Sequence, residues 1–560
     1  MKNVFCIVFL MIHSVVIFAQ TDKQFIIYDA IAYAGKPDLS AEGISPVFLI
    51  YEGYLTKPDS DRSSVLDSVK VNIFAKAAAD YFPHVMVSTD IERCFWDNKV
   101  GPDEMKTIFG QLFQTFRSYH HGVYIGNYAI APMALCVHRF YRQELFPEPE
   151  LISRWKASNQ KIWAVVEYAD MVQPTVYIAE PNIKSWIDDL RTTVSEIKLH
   201  APGKKIIPYI WPQYYNKPES PYNRKVVSPV IWQQMLDALY DLCDGAIIWS
   251  SITGADDKPL LWTNPAIQEI WDVTQKFIQV HRENIVSPVS NDALCAPKSS
   301  SSQKTKIHFA IERKNMPDLS QYGIHKCKIL REEELGQRDT NNIYRPDPIK
   351  ISEQAKLLAK TPNIPVYVYS PSWLKDLSSD SLSTQNRFAT VRKIFKQNNK
   401  RNQLCFAQVA PKNLNENRSN NSNFFVVFSS WLLNSAISTR SLREYTDVLL
   451  ADAYIMDDDT VSWKRDFNLT IRELKQQHSK KPIYVTFRTT YHSMRTSNAN
   501  FGNPIKASTW NTMLKTASNQ CDGIIIYDME SKDIAWDDDA NFWKTTKAFI
   551  QTNRKKIIFP

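Results

Sequence analysis

The feature that most constrains the fold of this sequence is an internal repeat. Pro37–Ser40 returns as Pro317–Ser320, an offset of 280 residues, and Cys243–Trp249 returns as Cys521–Tyr527, an offset of 278. The other matches have offsets of 277 or 278 and follow in the same order: Tyr168 and Asp170 with Tyr445 and Asp447, Ser185-Trp186 with Ser462-Trp463, and Trp232 and Met235 with Trp510 and Met513. Matches in one order at a nearly constant offset indicate two copies of one domain.

Length and local composition place the boundary between the copies. The chain has 560 residues, which leaves room for two domains of about 250 residues each. Residues 284–305 contain two X-Pro dipeptides and the four consecutive serines Ser299–Ser302, a composition typical of a flexible linker. We therefore predict a first domain over residues 20–283, a linker over 284–305 and a second domain over 306–560.

Short apolar runs alternate with segments of helical period in the first copy. The runs are rich in Val, Ile and Tyr, as expected for strands of a buried parallel sheet. They comprise Phe25–Ala30, Val47–Tyr51, His84–Ser88, Gly122–Gly126, Val172–Ile178, Lys205–Ile210 and Gly245–Ser250. Strands and crossover helices in this number predict an α/β fold with two tandem (β/α) barrels of TIM type, seven or eight strands each. A doubly wound open sheet is the alternative, but no glycine-rich phosphate loop follows any run.

The N-terminus has the pattern of a secretory signal peptide. Lys2 precedes a mostly apolar run from Val4 to Phe18, and Ala19 supplies the small residue at a cleavage site. The run is short for a membrane span. We therefore predict removal of residues 1–19, no integral membrane segment in the mature chain, and a secreted or periplasmic location.

Cysteines and sequons constrain the protein less. Without Cys6, which lies in the signal segment, seven of the eight cysteines remain, and no Cys-x-x-Cys pair suggests a structural metal. Sequons begin at Asn417, Asn420 and Asn468, all in the second copy. Nothing in the sequence requires a metal or an organic cofactor.

Composition restricts the class of partner. The chain has 67 Lys and Arg against 59 Asp and Glu, a net charge of +8. That charge is mild for this length and lacks the concentrated basic patch of a nucleic-acid-binding protein, so we expect no nucleic acid partner. A hydrophobic content of 44% rules out a largely disordered chain. The oligomeric state is left open.

Two acidic residues follow the third predicted strand. Asp90 and Glu92 are two residues apart, so on an extended chain their side chains project to the same face, here the mouth of the barrel. Two carboxylates this close cannot both ionise easily, and an acid beside a carboxylate is what glycosidic cleavage needs. The alternative is a pair of acids favoured only by a helix N-terminus. Asp528 and Glu530 show the same spacing after the last strand of the second copy, so spacing alone does not decide.

The first copy resembles the hyaluronidase family of glycoside hydrolases over residues 25–282. That family carries an Asp-x-Glu at the end of its third strand, as at Asp90 and Glu92. The other resembling segments are Phe25–Tyr28 for the first strand, Tyr124 on the fourth, Gln173–Tyr177 for the Pro-Ser-x-Tyr strand and Gly245–Ser250 for the Gly-x-x-x-Trp-Gly strand. Departures are Ile91, where the family usually has an aromatic residue, and a missing cysteine after the first strand.

The resemblance implies a secreted, retaining endo-hexosaminidase that acts on an N-acetylhexosamine-containing polysaccharide. By that resemblance Glu92 is the general acid and then the base, and Asp90 holds the 2-acetamido group whose carbonyl oxygen is the internal nucleophile. Tyr177 positions that group, Trp249 forms an apolar wall and Tyr124 binds substrate. Tyr209, with its neighbours Trp211, Tyr214 and Tyr215, is a candidate for stacking on the polymer or for packing at the rim.

Two alternatives stay open. In the first, a second protein carboxylate, Asp29 or Glu52 at the ends of the first two strands, acts on a sugar without an acetamido group. In the second, the protein binds glycans without cleaving them. The second copy lacks acids after its third strand, which reads Val366–Trp373. We interpret it as a degenerate barrel that serves as a packing partner or as a non-catalytic glycan-binding module, and separate chemistry at Asp528 and Glu530 is a further alternative.

Overall fold

The computed structural model describes most of the chain after the predicted signal peptide. The described residues are 23–560, except 58–64, 93–99, 123, 143–145, 287–303, 312, 341, 375–380, 408–423, 434–439, 457, 478–479, 492–501 and 529–533. The chain divides into two compact units. The first consists of residues 1–294 with 420–426, and the second of residues 295–419 with 427–560. The predicted signal peptide and most of the predicted linker lie outside the described residues.

The first unit is a closed parallel barrel of TIM type, as the sequence predicts. Its strands are β1 (Ile26–Ala30), β2 (Ser45–Tyr51), β3 (Met86–Asp90), β4 (Ile125–Met133), β5 (Met171–Thr175), β6 (Lys205–Ile206), β7 (Tyr209–Ile210) and β8 (Gly245–Trp249). The order around the sheet is β4-β3-β2-β1-β8-β7-β5-β6, and pairing of β4 with β5 closes it. Since β6 and β7 are two halves of one strand interrupted before Tyr209 by Ile207 and Pro208, the barrel has seven strands.

Helices connect the strands of this barrel and start at residues suited to capping. They are α1 (Ser68–Tyr81), α2 (Pro102–Tyr119), α3 (Leu135–Arg142), α4 (Glu148–Val166), α5 (Ile183–His200), α6 (Pro229–Leu242) and α7 (Pro265–Val280). Asp67 accepts hydrogen bonds from two backbone N–H groups of α1, and Asn264 caps α7 in the same way. Proline as the first residue of α2, α6 and α7 also favours the start of a helix, because its N–H is not needed there.

Alternation along the strands sends one set of side chains into the barrel. The interior cluster contains Tyr28, Ala30, Val47, Leu49, Met86, Val137, Met171, Tyr177, Ile207, Tyr209, Trp211 and Ile247. Burial of these apolar groups stabilises the fold by roughly 25 cal/mol per Å² removed from water. The aromatic members of the cluster lie toward the carboxyl ends of the strands, where the candidate site is found.

The second unit follows the same succession of strands. They are β9 (Lys306–Ala310), β10 (Ile324–Lys326), β11 (Lys328–Arg331), β12 (Gly336–Arg338), β13 (Tyr344–Pro346), β14 (Pro365–Tyr369), β15 (Gln403–Phe406), β16 (Leu449–Asp452), β17 (Ile483–Arg488) and β18 (Gly523–Tyr527). Among the described residues these form a parallel sheet β10-β9-β18-β17-β16, a second parallel sheet β11-β14-β15 and the antiparallel pair β12–β13. A closed second barrel therefore stays a prediction.

Helices also connect the strands of the second unit. They are α8 (Glu332–Leu335), α9 (Pro348–Leu358), α10 (Ser381–Asn398), α11 (Phe424–Trp431), α12 (Thr460–Gln477), α13 (Ala507–Ser518) and α14 (Asn541–Thr552). In the part of the chain that the structure describes, no helix is both long and apolar enough to cross a membrane. The same part holds no group of three or more His, Cys, Asp or Glu side chains arranged to bind a metal ion.

Equivalent residues of the two copies make the same contacts. The indole of Trp232 donates to the hydroxyl of Thr274 at 2.9 Å, and that of Trp510 donates to Thr546 at 2.9 Å. Asp170 pairs with Arg117 in the first copy, and Asp447 pairs with Arg392 in the second. The repeat therefore preserves long-range contacts as well as residue types.

Closure of the first barrel depends on a glycine at the start of β8. Gly245 pairs with Ile26 of β1, and an added Cβ would lie 2.4 Å from the carbonyl oxygen of Ile26. Because a backbone atom cannot move aside, we expect Gly245→Ala to lower the free energy of unfolding by about 1–3 kcal/mol. Gly53→Ala is the matched control, since nothing lies within 4 Å of its added Cβ. Equal melting temperatures for the two variants in thermal denaturation would contradict this account.

Candidate active site

The carboxyl ends of the first unit's strands enclose a cavity of about 320 Å³. Its lining consists of Leu49, Asp90, Glu92, Tyr128, Tyr177, Tyr209, Trp211, Tyr215, Asn216, Arg224, Trp249 and Ser251. Parallel barrels carry their active sites at this end, because side chains from several strands converge there. The cavity therefore brings both predicted acids and three of the four predicted substrate-binding residues into one place.

The two acids form a coupled pair. Asp90 is the last residue of β3, and burial, the charge of Glu92, a hydrogen bond to Glu92 and the charge of Glu52 all raise the pKa of Asp90 well above its ordinary value of 3.8. One carboxylate oxygen of Asp90 is buried without a hydrogen-bond partner among the described residues. Burial and the neighbouring negative charges therefore favour the protonated form of Asp90.

Asn127 of β4 fixes the segment that carries the acids. Its side-chain oxygen accepts hydrogen bonds from the hydroxyl of Thr89 at 2.7 Å and from the backbone N–H of Ile91 at 3.2 Å. Its amide group donates to the backbone oxygen of Tyr128 at 2.6 Å. The residues on either side of Asp90 are therefore held by the neighbouring strand, which sets the direction of both carboxyl groups.

Glu52 holds the second acid from the other side. It follows β2, and its carboxylate accepts a hydrogen bond from the backbone N–H of Glu92 at 3.0 Å. The second copy repeats this bond: Glu332 accepts from the backbone N–H of Ser372 at 3.0 Å, 280 residues further on. Because the bond is also present in the copy without the acid pair, Glu52 has a structural role that does not depend on catalysis.

Aromatic rings form a wall of the same cavity. Trp249 lies edge-to-face against Trp211 with centroids 4.9 Å apart, and the ring of Tyr177 lies 5.9 Å from that of Trp249. Tyr215 stacks on Tyr177 at 5.7 Å. The Trp249 indole donates to the Tyr51 hydroxyl at 3.4 Å, which fixes the plane of the ring. Such a wall offers flat apolar surface to the face of a sugar ring.

Tyrosine hydroxyls supply the polar part of the wall. Burial is the main cause that raises the pKa of Tyr128, Tyr177 and Tyr209 well above the ordinary value of 10.0, so these phenols stay protonated. The Tyr128 and Tyr177 side chains are hydrogen-bonded to each other. The Tyr209 hydroxyl lies 2.7 Å from that of Ser88 in the barrel interior. Neutral hydroxyls of this kind can donate to or accept from a sugar over a wide pH range.

Arg224 places a cation in the wall. Its guanidinium donates to Asp257 at 2.5 Å and to the Thr253 hydroxyl at 3.2 Å. Its backbone has a φ of +50°, which is unusual for a residue other than glycine, and the side-chain amide of Gln213 donates to its carbonyl oxygen at 2.8 Å. Backbone strain of this kind is found where it positions a functional side chain, and the Arg224 side chain lines the cavity.

Tyr124 is a predicted site residue that the structure does not bring to the cavity. The sequence places a strand over 122–126, whereas β4 begins at Ile125, so Tyr124 precedes the strand at its amino end. Its ring is exposed and lies 5.5 Å from the ammonium group of Lys205, which begins β6. Tyr128, four residues further along the same face, lines the cavity instead. The prediction for Tyr124 is corrected on this geometry.

Asp29 is also turned away from the cavity. Tyr28 and Ala30 point into the barrel, so Asp29 between them points outward, where it pairs with Lys36 and accepts from the backbone N–H of Ile31. Its ion pair is largely buried, with Asp29 17% exposed. It is not positioned to attack a sugar held between Asp90 and Trp249.

Sequence reasoning missed Tyr128, Asn127 and Arg224. Period-two alternation from Tyr124 places Tyr128 on the same face, and this signal could have found it had β4 been given its full length. Asn127 and Arg224 left no comparable signal, because their roles depend on contacts with Ile91 and Asp257, which are distant in the sequence.

Of the competing acid pair of the second copy, the structure describes Asp528. Asp528 is paired with Arg313 in the second unit. Glu530 lies outside the described residues. At the positions of Asp90 and Glu92 the second copy has Ser370 and Ser372, as the sequence indicates.

Comparisons with known proteins return structures but no family. No protein-family model and no curated protein matches the sequence. Among solved structures, bee venom hyaluronidase matches with 14% identity and a TM-score of 0.33, over 47% of this chain and 100% of its own. A glucosidase from Croceicoccus marinus matches with 12% identity and a TM-score of 0.26, over 44% and 58%. A mannanase from Cellulomonas fimi matches with 10% identity and a TM-score of 0.26, over 68% and 76%. Structural likeness at such low identity and TM-score does not specify a reaction.

Proposed function

We propose that the first unit is a glycoside hydrolase that cleaves an N-acetylhexosamine-containing polysaccharide with retention of configuration. The observation that carries this proposal is the placement of Asp90 and Glu92 together with aromatic side chains in the lining of one cavity of about 320 Å³. Glycosidic cleavage needs a carboxyl group that protonates the leaving oxygen beside a second carboxyl group, and aromatic rings pack against the face of a sugar.

Glu92 is the proton donor in this mechanism. When an N–H group of the sugar donates a hydrogen bond to Asp90, that bond stabilises the ionised form of the Asp90 carboxyl group. In this mechanism Glu92 then carries the proton. Glu92 transfers that proton to the glycosidic oxygen as the bond to the anomeric carbon breaks. Its backbone N–H bond to Glu52 keeps the carboxyl group in place.

The acetamido group of the substrate is the nucleophile. Its carbonyl oxygen attacks the anomeric carbon as the leaving group departs, while Asp90 accepts the acetamido N–H and balances the positive charge that develops on the ring formed. Water, deprotonated by the Glu92 carboxylate, then attacks the same carbon from the side of the departed group, and the bond between that carbon and the acetamido oxygen breaks. Two inversions give retention, and the acid pair returns to its starting protonation state.

The wall residues orient the sugar in this proposal. Tyr177 and Trp249 are neighbours in the lining, with ring centroids 5.9 Å apart, and offer one continuous surface on which an acetamido group can pack. Tyr209 and Tyr128 offer neutral hydroxyls. Arg224 offers further N–H donors to a polymer, but its pairing with Asp257 means that it does not select hyaluronan, chondroitin or another acidic glycan.

Glu52 supports a second candidate mechanism. Its carboxylate is close enough to raise the pKa of Asp90, so a protein nucleophile acting on a sugar without an acetamido group is a specific alternative. The equivalent bond of Glu332 in a copy without acids favours the structural role instead. Glutamine at position 52 keeps an acceptor for the Glu92 N–H, so Glu52→Gln distinguishes the two roles.

The test is release of reducing ends from a panel of acidic and neutral polysaccharides, with and without N-acetylhexosamine. We expect activity only on acetamido polymers, with Glu52→Gln changing turnover by less than about tenfold. Activity on sugars lacking the acetamido group, abolished by Glu52→Gln, would establish the alternative mechanism. Binding without cleavage of any polymer would identify a glycan-binding protein.

Export of the chain and the role of the second unit belong to the same proposal. We propose that the chain is exported by its N-terminal segment to a secreted or periplasmic location, and that the second unit takes no part in the hydrolysis. Activity of the first unit expressed alone, as residues 20–283, tests the second point.

A further inference from the structure

The second unit contains a larger cavity than the candidate active site. It has a volume of about 430 Å³ and lies at the carboxyl ends of β9, β17 and β18. Small-molecule pockets have volumes of roughly 300–1,000 Å³, and the carboxyl ends of parallel strands are their usual place. It is lined by Arg313, Thr489, Thr490, Asp528, Trp536 and Phe542, with further residues at its rim.

The corresponding place in the first unit is filled. The Tyr33 hydroxyl donates to the side-chain oxygen of Gln213 at 3.2 Å, and the Gln213 amide donates to the backbone oxygen of Arg224 at 2.8 Å. The Ser250 hydroxyl accepts the backbone N–H of Ala32 at 2.7 Å. Tyr33, Gln213 and Ser250 are 1%, 0% and 2% exposed, so this neutral network leaves little room for a ligand.

The repeat shows which substitutions accompany the open cavity. With the strands in register, Tyr33 corresponds to Arg313, Gln213 to Thr490 and Ser250 to Asp528. The surrounding backbone is unchanged: Ala34 bridges Leu261 in the first unit, and Lys314 bridges Ala535 in the second. A shorter side chain at position 490 and a charged pair in place of a tyrosine and a serine therefore convert a filled position into a lined cavity.

The lining has the chemistry of a saccharide site. Arg313 and Asp528 form an ion pair whose side chains are 10% and 6% exposed, and it places a donor and an acceptor side by side for two vicinal hydroxyls. Thr489 and Thr490 add hydroxyl groups. Trp536 and Phe542, with ring centroids 6.4 Å apart, supply an apolar face.

The charge of the lining disfavours anionic sugars. The charges of Arg313 and Asp528 offset each other, and Asp539 is paired with Lys544 at 2.8 Å, which leaves the negative charge of Asp537. A uronate or sulfate therefore finds no uncompensated positive charge among the described lining residues.

We propose that this cavity of the second unit is a binding site for an uncharged saccharide of one or two sugar units. The site is independent of the hydrolysis proposed for the first unit. Its occupant stacks on Trp536 and bonds through hydroxyl groups to Arg313, Asp528 and Thr490.

The test uses the full chain carrying Glu92→Gln, so that a hydrolysable ligand is not consumed. Binding of cellotetraose, mannotetraose, laminaritetraose and chitotetraose is measured by isothermal titration calorimetry, with a hyaluronan tetrasaccharide and a chitosan tetrasaccharide as charged probes. We expect at least one neutral probe to bind, and Thr490→Gln, which restores the first unit's side chain, to raise its Kd by about tenfold or more. Trp536→Ala should weaken the same probe.

Thr490→Gln also has a folding control. The first unit holds glutamine at the equivalent position, so the variant should unfold at the same temperature as its parent. Failure of every neutral probe to bind, or binding that Thr490→Gln and Trp536→Ala leave unchanged, would refute the site. If only a charged probe responds to Thr490→Gln, the assignment to uncharged sugars is wrong.

Discussion

Replacing Glu92 by glutamine is expected to lower turnover by about 10²–10⁴-fold, because it removes the group that protonates the glycosidic oxygen in the proposed mechanism. Glutamine has nearly the same volume and cannot donate a proton of comparable acidity. The measurement is the initial rate of reducing-end release on the best polymer of the panel, and KM should change little compared with kcat.

Glu104→Gln is the matched control for this variant. Glu104 is exposed in the first turn of α2 in the same unit, and its replacement should leave the rate unchanged. Equal thermal unfolding of Glu92→Gln and wild type establishes that the loss is chemical. Retained turnover in Glu92→Gln would overturn the assignment of the proton donor.

Replacing Asp90 by asparagine is expected to have two effects of opposite sign. Turnover should fall by about 10²–10³-fold, since a neutral amide cannot balance the charge that develops on the acetamido group. Stability near pH 7 should rise. The buried carboxyl has a pKa above that of the unfolded chain, so ionisation above about pH 4 favours unfolding.

The pH dependence of stability checks the second effect. Below the ordinary pKa of 3.8 the carboxyl is protonated in both states, so wild type and Asp90→Asn should unfold at similar temperatures. As the pH rises, wild type should lose stability relative to the variant until the raised pKa is passed. Asp237→Asn, on the exposed face of α6, should show no such trend. If Asp90→Asn is less stable than wild type at pH 7, the pKa of Asp90 is not raised in the folded protein.

Parts of the fold followed directly from local patterns. Buried parallel strands are apolar on both faces, and their runs are visible in the sequence without any knowledge of partners. The positions of β1, β2, β3 and β8 follow from such runs. The run at Gly122–Gly126 predicts β4 too early, because residues of mixed character follow it. With that boundary Tyr124 lies on the predicted strand, and Tyr128 lies beyond it.

The residues of the candidate site could also be predicted only in part. Asp90 and Glu92 could be named from spacing and strand position, and Tyr209 from its place at the sixth predicted strand. Tyr177 and Trp249 follow from the family resemblance. The outward direction of Asp29 depends on which residues of β1 face the interior, and this parity is lost if a strand boundary shifts by one residue.

What the sequence determined by itself is the duplication, the α/β class and the acids kept in one copy only. These are properties of residue order, and each is encoded locally or by comparison of the chain with itself. Tertiary structure alone decided that Glu52 holds the amide of Glu92, that Arg224 enters the wall, and that a cavity opens beside Arg313 and Asp528. Each of these depends on groups far apart in the chain that meet only when the strands are in register, and no local pattern encodes such a meeting.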